Sequence, residues 1–541
     1  MIVPRPTLLT RLPGRFTFDA ATAVHASGDA VGAARLLRTL LAPATGLPLA
    51  AAADGAVVLA VDPGLGALGA EGYELTVGPD TVRLRAGRPE GLLRGVQTLR
   101  QLLPAQALSD RPVAGVAWEV PCVRITDVPH SAWRGALIDV ARRFQPLSFL
   151  RRFTDLLALH KLNVLHLHLT DDQGWRMPVP ALPRLTEVGG VRARSMLGRA
   201  GSGRFDDVPH AGAYTTAELR ELVAYAAERG VTVVPEIEMP GHVRAALAAY
   251  PELGNVPGRR LDVWTEWGVC EQVLGMHDGA LEFCRTVLGE VMDVFPSRYV
   301  HVGGDECPVT EWEQSPAARA RAAELGLAAP KALQGWFMGR IGAFLLASGR
   351  TPTCWAEDSG TLPREFTVMP WRDAAHGLAA ARRGHDVVMA PHRATYLDYP
   401  QTAHPAEPLG QAGEVVDVAA VHRGSGPPPW EPEAAARVLG TQAALWTEFV
   451  PTAEHAEYLL FPRLAALADR AWNPAGDWTA DVLPALHAHA ARLAALGVRT
   501  GHLPPLPGDA PTPVRPPASP ADTGPASGSA PEPGPVAGSR R

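Results

Sequence analysis

Residues 215–242 read TTAELRELVAYAAERGVTVVPEIEMPGH, a helix pattern and a strand pattern joined at a glycine. Thr215 and Glu218 stand at capping-box spacing, where each side chain closes a backbone N–H that the first helical turn leaves open. Leu219, Leu222, Val223 and Ala226 recur at helical spacing, Gly230 stops the helix, and 231–239 follows as an apolar strand run. Outward from this segment the same alternation begins at Trp133 and continues. Strand runs fall at 135–140, 163–170, 231–239, 299–302, 351–355, 367–371, 386–391 and 440–446, with further helices starting at Ser148, Asp278 and Lys331. Strands alternating with crossover helices make a parallel sheet, and eight such strands close a barrel. Helices at 453–472 and 481–496 end the pattern.

Polar and aromatic residues gather just past the strand ends: Asp171 and Asp172, His242, Asp305 and Glu306, Trp355, Trp371, Tyr396 with Asp398, and Trp446 with Glu448. In a (β/α)8 TIM barrel the C-terminal strand ends form one face, and active sites are assembled there. A doubly wound open sheet is the alternative, but it has no reason to decorate nearly every strand end.

The sharpest of these positions is 301–306, HVGGDE, two adjacent carboxylates behind a glycine pair at the end of an apolar strand. The glycines remove side chains where a substrate approaches the backbone. Neighbouring alpha carbons lie only ~3.8 Å apart and adjacent strand residues point to opposite faces. Asp305 and Glu306 are therefore a poor acid-and-nucleophile pair, since retaining glycosidases hold those carboxyls roughly 5–5.5 Å apart across the bond. One carboxylate is expected to move a proton while the other orients something. Two carboxyls so close resist double ionisation, so the pair should raise the pKa of one of them.

The chain has 541 residues, 46% hydrophobic and 20% charged, with a net charge of −6 and no block of basic residues. That composition supports a large core and gives nucleic acid or an anionic membrane no footprint. No apolar run approaches the ~18 residues of a membrane span, and the N-terminus lacks a secretory pattern, so a cytoplasmic location is expected. The five cysteines are an odd number without a CxxC motif, which reads as free thiols and no structural metal. Three regions are read: an α+β domain over 1–127, the barrel over 128–500, and a Pro/Ala/Gly/Ser-rich tail over 501–541 that is expected to be disordered.

Several ordered segments together resemble glycoside hydrolase family 20, the β-N-acetylhexosaminidases. They are GALIDVARRF at 135–144, KLNVLHLHLTDDQGW at 161–175, PEIEMPGH at 235–242, the 301–306 segment, Tyr396 with Asp398, and Trp446 with Glu448. The resemblance covers roughly 1–500, strongly from Trp133. It implies substrate-assisted retention, in which the sugar's own 2-acetamido oxygen attacks the anomeric carbon, an exception to the two-carboxylate scheme. It implies Glu306 as general acid and base, and so as the carboxyl of the pair with the raised pKa, Asp305 as the holder of the acetamido nitrogen, and Asp171 with His242 as a relay to Glu306. Tyr396 would bond the acetamido oxygen, and Trp355, Trp371 and Trp446 would wall the sugar. Arg142, Glu448 and Asp398 would grip its hydroxyls. Asp172 is read as a structural strand-end residue, His166 and His168 as packing or support, and one of Glu236 and Glu238 as support.

The leading expectation is an exo-acting hydrolase of terminal β-linked GlcNAc or GalNAc on a small carbohydrate or glycoconjugate, without cofactor or metal. Release of a disaccharide, in the manner of a lacto-N-biosidase, stays open. So do a non-catalytic amino-sugar binder and a barrel glycosidase for sugars without the acetamido group. The oligomeric state is not readable.

Overall fold

The computed structural model describes residues 1–356 and 360–509, so 510–541 of the expected tail lie outside the described residues. The first element is a six-stranded sheet of β1 (Leu8–Thr17), β2 (Val24–Ala26), β3 (Val57–Val61), β4 (Tyr73–Val77), β5 (Val82–Ala86) and β6 (Glu119–Asp127), in the order β1-β6-β4-β5-β3-β2. Val82, Leu84 and Ala86 alternate with exposed arginines along β5, and they bury against helices α1 (Val31–Thr45) and α2 (Pro89–Leu102). This is period-two patterning with one wet face.

Eight parallel strands then close a barrel: β7 (Trp133–Asp139), β8 (Val164–His168), β9 (Thr232–Glu236), β10 (Tyr299–His301), β11 (Thr351–Ala356), β12 (Thr367–Pro370), β13 (Val387–Met389) and β14 (Val438–Leu445). All eight expected strands are present, most of them one to three residues shorter at an end. The outer layer includes α3 (Leu147–Leu159), α4 (Thr216–Ala227), α5 (Asp278–Val294), α6 (Leu333–Ala347), α7 (Ala374–Arg382) and α8 (Val418–Gly424). At α4 both capping-box bonds form, Glu218 N–H to Thr215 Oγ1 at 3.1 Å and Thr215 N–H to Glu218 at 2.7 Å. The helix expected over 453–472 is two, α9 (Ala453–Leu460) and α10 (Arg463–Trp472). Pro462, which has no N–H to donate, divides them. The last helix, α11 (Leu483–Ala495), packs on the barrel side.

Strand register brings Asp139, His168, Glu236 and His301 side by side on β7, β8, β9 and β10. All four are buried. A polar layer therefore caps the apolar barrel core below the C-terminal face. Among the described residues no helix is long and apolar enough to cross a membrane.

Candidate active site

At the C-terminal face lies a cavity of about 200 Å³, lined by Arg142, His168, Asp171, Glu238, His242, Asp305, Glu306, Trp371, Tyr396, Asp398, Trp446 and Glu448, with His392, Tyr399 and Gln411 at its margin. A larger cavity, about 510 Å³, opens at the opposite end around Trp133, Thr232 and Tyr299. It sits at strand N-termini, where barrel conservation and chemistry do not gather, so the smaller one is the candidate site.

Each wall has a local cause. Asp139, the last residue of β7, accepts the N–H groups of Ala141 at 2.9 Å and Arg142 at 3.0 Å, which bends the chain so that Arg142 turns inward. Arg142 then donates to Gln173 Oε1 at 3.0 Å, pairs with Asp171 at 2.8 Å, and lies over the Trp446 ring at 5.3 Å. After β8 a short hairpin pairs Thr170–Asp171 with Gly174–Trp175, and this returns Asp171 to the cavity and sets Asp172 behind His242. Past β9 and β10 the chain turns through left-handed backbone at His242 (φ 52°), Gly303 (φ 60°), Gly304 (φ 96°) and Glu306 (φ 42°). Non-glycine residues seldom hold that conformation, and where they do it is commonly at functional sites.

The relay differs in one member from its sequence reading. His242 Nδ1 donates to Asp172 Oδ2 at 3.1 Å, while Asp171 Oδ1 lies farther off at 3.4 Å and spends its other oxygen on Arg142 and His168. Asp172, read as structural, is thus the closer carboxylate to the ring. On the far side His242 Nε2 lies 3.6 Å from Glu306. Burial alone would push His242 down, but Asp171, Asp172 and Glu306 around it hold its pKa well above the ordinary imidazole value.

The assignment of the raised pKa to Glu306 is also corrected. Burial raises Glu306, yet the imidazolium of His242, with Arg142 and Arg372, outweighs it and the net shift is downward. Asp305 takes the opposite course: burial, only partly offset by His242 and reinforced by Glu306, pushes it up to about 7. Glu238 beside it is held well above the carboxylate range by burial and by Asp305. The pair splits as expected but in the other sense, because Asp305 is the more deeply buried and Glu306 lies closer to the cation.

Many buried polar atoms of the lining have no hydrogen-bond partner among the described residues: Arg142 Nη1, Asp305 Oδ1, both Asp398 carboxylate oxygens, Glu448 Oε2, and the indole nitrogens of Trp371 and Trp446. Buried polar groups are nearly always satisfied, so this concentration marks a surface made to meet a polar ligand. Trp371 stacks on Tyr396 with planes 12° apart, and Trp446 borders Tyr396 at 5.9 Å. Trp355 does not line the cavity. It is buried beneath Trp446, 5.9 Å away, with its indole N–H donated to Glu236 at 2.6 Å.

Residues 132–475 match the model of "Glycosyl hydrolase family 20, catalytic domain", and residues 1–128 match "Glycosyl hydrolase family 20, domain 2". The chain belongs to glycosyl hydrolase family 20. This family member is 36% identical over 483 residues to a beta-hexosaminidase of Porphyromonas gingivalis, covering 87% of this chain and 60% of that one. It is 34% identical to a beta-N-acetylhexosaminidase of Cellulomonas fimi, covering 88% and 90% of the two chains. A GH20 exo beta-N-acetylglucosaminidase from Vibrio harveyi, solved with N-acetylglucosamine, superposes with a TM-score of 0.82 at 31% identity, over 93% of this chain and 78% of that one. As a family 20 member the chain is a glycoside hydrolase.

The residues that sequence reading did not place at the cavity are Glu238, His168, His392, Tyr399 and Gln411, and behind it Asp139 and Gln173. The alternation of His166 and His168 on β8 was the available signal, since one face of that strand had to meet the polar strand ends.

Proposed function

We propose that this family 20 hydrolase is an exo-acting β-N-acetylhexosaminidase using substrate-assisted retaining catalysis. The observation that carries the reading is the set of unpartnered buried polar atoms around the adjacent Asp305 and Glu306 in a cavity of about 200 Å³. That volume is below the ~300–1,000 Å³ of ordinary ligand pockets and suits one sugar ring. It favours removal of a single terminal residue over release of a disaccharide. The β-hexosaminidase names of the relatives and the N-acetylglucosamine bound by the Vibrio harveyi enzyme support the same substrate class.

In this reading the acetamido oxygen attacks the anomeric carbon while Glu306 protonates the departing oxygen. The close pair of His242 and Glu306 carries one proton between them, so a lowered Glu306 pKa does not deprive the site of its acid. Asp305 faces the acetamido N–H. As the anion, having given its proton to solvent, Asp305 accepts that N–H and offsets charge developing on that nitrogen, a contact strongest in the transition state. Tyr396, stacked on Trp371, would orient the acetamido oxygen as a positioned nucleophile. Arg142, Asp398 and Glu448 offer the charged groups that grip ring hydroxyls strongly.

The test is release of 4-nitrophenol from β-GlcNAc and β-glucose derivatives by the parent protein, Glu306→Gln and Asp305→Asn. Turnover of the acetamido sugar alone, reduced by ~100-fold or more in both variants, is expected for loss of acid catalysis and of transition-state charge stabilisation. Turnover of the glucoside at a comparable rate would overturn the substrate-assisted reading. Turnover of neither sugar would overturn the enzyme reading in favour of a binding protein.

A further inference from the structure

Beneath the cavity, one carboxylate is ringed by three histidines and a tryptophan. Glu236 is fully buried at the end of β9. Its Oε1 accepts the Trp355 indole N–H at 2.6 Å and faces His301 Nδ1 at 2.7 Å. Its Oε2 faces His168 Nδ1 at 2.6 Å and His166 Nε2 at 3.2 Å. The side-chain amide of Gln442 donates to His166 Nδ1 at 2.8 Å, which leaves the His166 proton on the nitrogen that faces Glu236. With the Trp355 N–H on one oxygen and the His168 N–H on the other, the carboxyl accepts at both oxygens, as the anion does.

His168 is the next link. Its Nδ1 faces Glu236, and its Nε2 faces Asp171 Oδ2 at 3.0 Å. Carboxylates accept and do not donate, so both ring nitrogens carry protons and the ring is an imidazolium. Burial would lower the His168 pKa, but Glu236 and Asp171 hold it well above the usual value. The other titratable neighbours are Asp139 on β7, Glu238 just past β9 at 3.9 Å from His168 Nδ1, and His166 and His301 on β8 and β10. Asp171 in turn pairs with Arg142 at 2.8 Å, and Arg142 lines the cavity. The second route upward runs through Trp355 to Trp446, which also lines it.

We infer that Glu236 is a positioning residue for the reaction: its buried negative charge keeps His168 an imidazolium, which fixes Asp171 and Arg142 at the sugar-binding edge, while its other oxygen pins Trp355 under Trp446. This rests on the hydrolase reading above for its kinetic consequence, although the charge state of His168 does not. Glu236 touches no cavity surface, so its effect reaches the sugar only through these groups.

Glu236→Gln keeps the volume and an acceptor for Trp355 but removes the charge. His168 then has Asp171 as its one anionic contact within 3.5 Å and titrates near its ordinary range. The variant's kcat/KM on 4-nitrophenyl β-GlcNAc is expected to fall on the order of 10- to 100-fold at pH 8, the scale of loss that a small misplacement of a binding group produces. The ratio of parent to variant is expected to shrink as the pH is lowered to 5 and His168 regains its proton. A constant ratio across that range would mean a merely structural role and would overturn the proposal. Histidine-labelled NMR, with His168→Gln to assign the ring, is the second measurement. The parent ring should remain an imidazolium through pH 8 and the variant ring should not. A neutral His168 in the parent at pH 7 overturns the proposal even where Glu236→Gln fails to fold. Absence of turnover by the parent would count against the hydrolase reading alone, because the NMR result stands independently of it.

Discussion

At the scale of single residues, the site is a set of neighbours given unequal surroundings. Asp305 and Glu306 are adjacent in sequence, yet one is raised to about 7 and the other lowered, because only Glu306 lies within 3.6 Å of His242. A pH dependence follows. The acetamido N–H needs an ionised Asp305, so kcat/KM should fall as pH drops through about 7, where Asp305 takes up its proton in the free enzyme. Bound substrate favours the anion, so the acid limb of kcat should lie lower, and Asp305→Asn should lack the kcat/KM limb altogether. Asp171 and Asp172 separate by the same logic. Asp172→Asn removes the closer anion from His242 and should lower kcat by about 100-fold, the low end for general acid–base catalysis, with KM changed little. Asp171→Asn loosens Arg142 and should act chiefly on KM, by roughly 10-fold, as loss of a charged hydrogen bond of ~1.5 kcal/mol implies. Steady-state kinetics on the two variants decides it, and the opposite split would return the relay to Asp171. Sequence spacing identified both pairs as site material. It did not say which carboxylate faces the ring, because that is settled by the 170–175 hairpin and by rotamers.

Strands and helices were legible to the degree that their patterns are local. The capping box at Thr215 and the period-two or continuous apolar runs of the barrel strands report on neighbours a few residues away. Trp355 shows the limit. A tryptophan at a strand end reads as a cavity wall, but the face it takes depends on the Glu236 carboxylate on another strand, 119 residues away in the chain. Two predictions belong at this scale. Gly303 sits at φ 60° with its alpha carbon against Glu238, and an added methyl would overlap that carboxyl. Gly303→Ala should therefore lower stability by about 1–3 kcal/mol from backbone strain and also displace the Asp305 turn, read by thermal denaturation and by kcat. The second concerns α11. His160, following α3, gives its Nδ1 proton to Leu156 O at 2.7 Å and meets His489 of α11 ring to ring, Nε2 to Nε2 at 2.9 Å. Burial lowers His160 to about 4 and, joined by the neighbouring cations, lowers His489 well below its usual value. Both are neutral when folded and take protons once unfolded, so stability holds above pH ~6.5 and is lost as the pH falls from there toward about 4. The His160 shift alone corresponds to about 3 kcal/mol, and urea titrations of a His160→Leu/His489→Leu variant should show a flatter acid slope than the parent.

Across the whole molecule, the α+β domain is joined to the barrel through buried charge. Lys161, ahead of β8, inserts between Asp127 at 2.7 Å and the Tyr73 hydroxyl at 3.0 Å, and Trp472 donates to the same aspartate at 2.8 Å. Glu71 binds Arg94 at 2.8 Å and also Arg134. The role of Asp127 could not be read from the first 127 residues, because Lys161 and Trp472, the partners that carry it beyond its own sheet, lie in the barrel. Lys161→Met should strand Asp127 as a buried charge and cost about 3–5 kcal/mol in denaturant unfolding. A loss below 1 kcal/mol would mean that Tyr73 and Trp472 suffice. The two sheets also differ in how they finish. A closed barrel presents no unpaired strand to another chain, so among the described strands longer than two residues, strand addition is open only at the two edges of the six-stranded sheet. The longer edge, β1, carries exposed Leu8 and Leu9, but its pairing with β6 slips between Arg11 and Arg15, where Pro13 and Gly14 interrupt the ladder. Proline, a bulge and flanking charges are the means by which natural edges are kept from templating fibrils, and the one long edge this fold leaves open has all three.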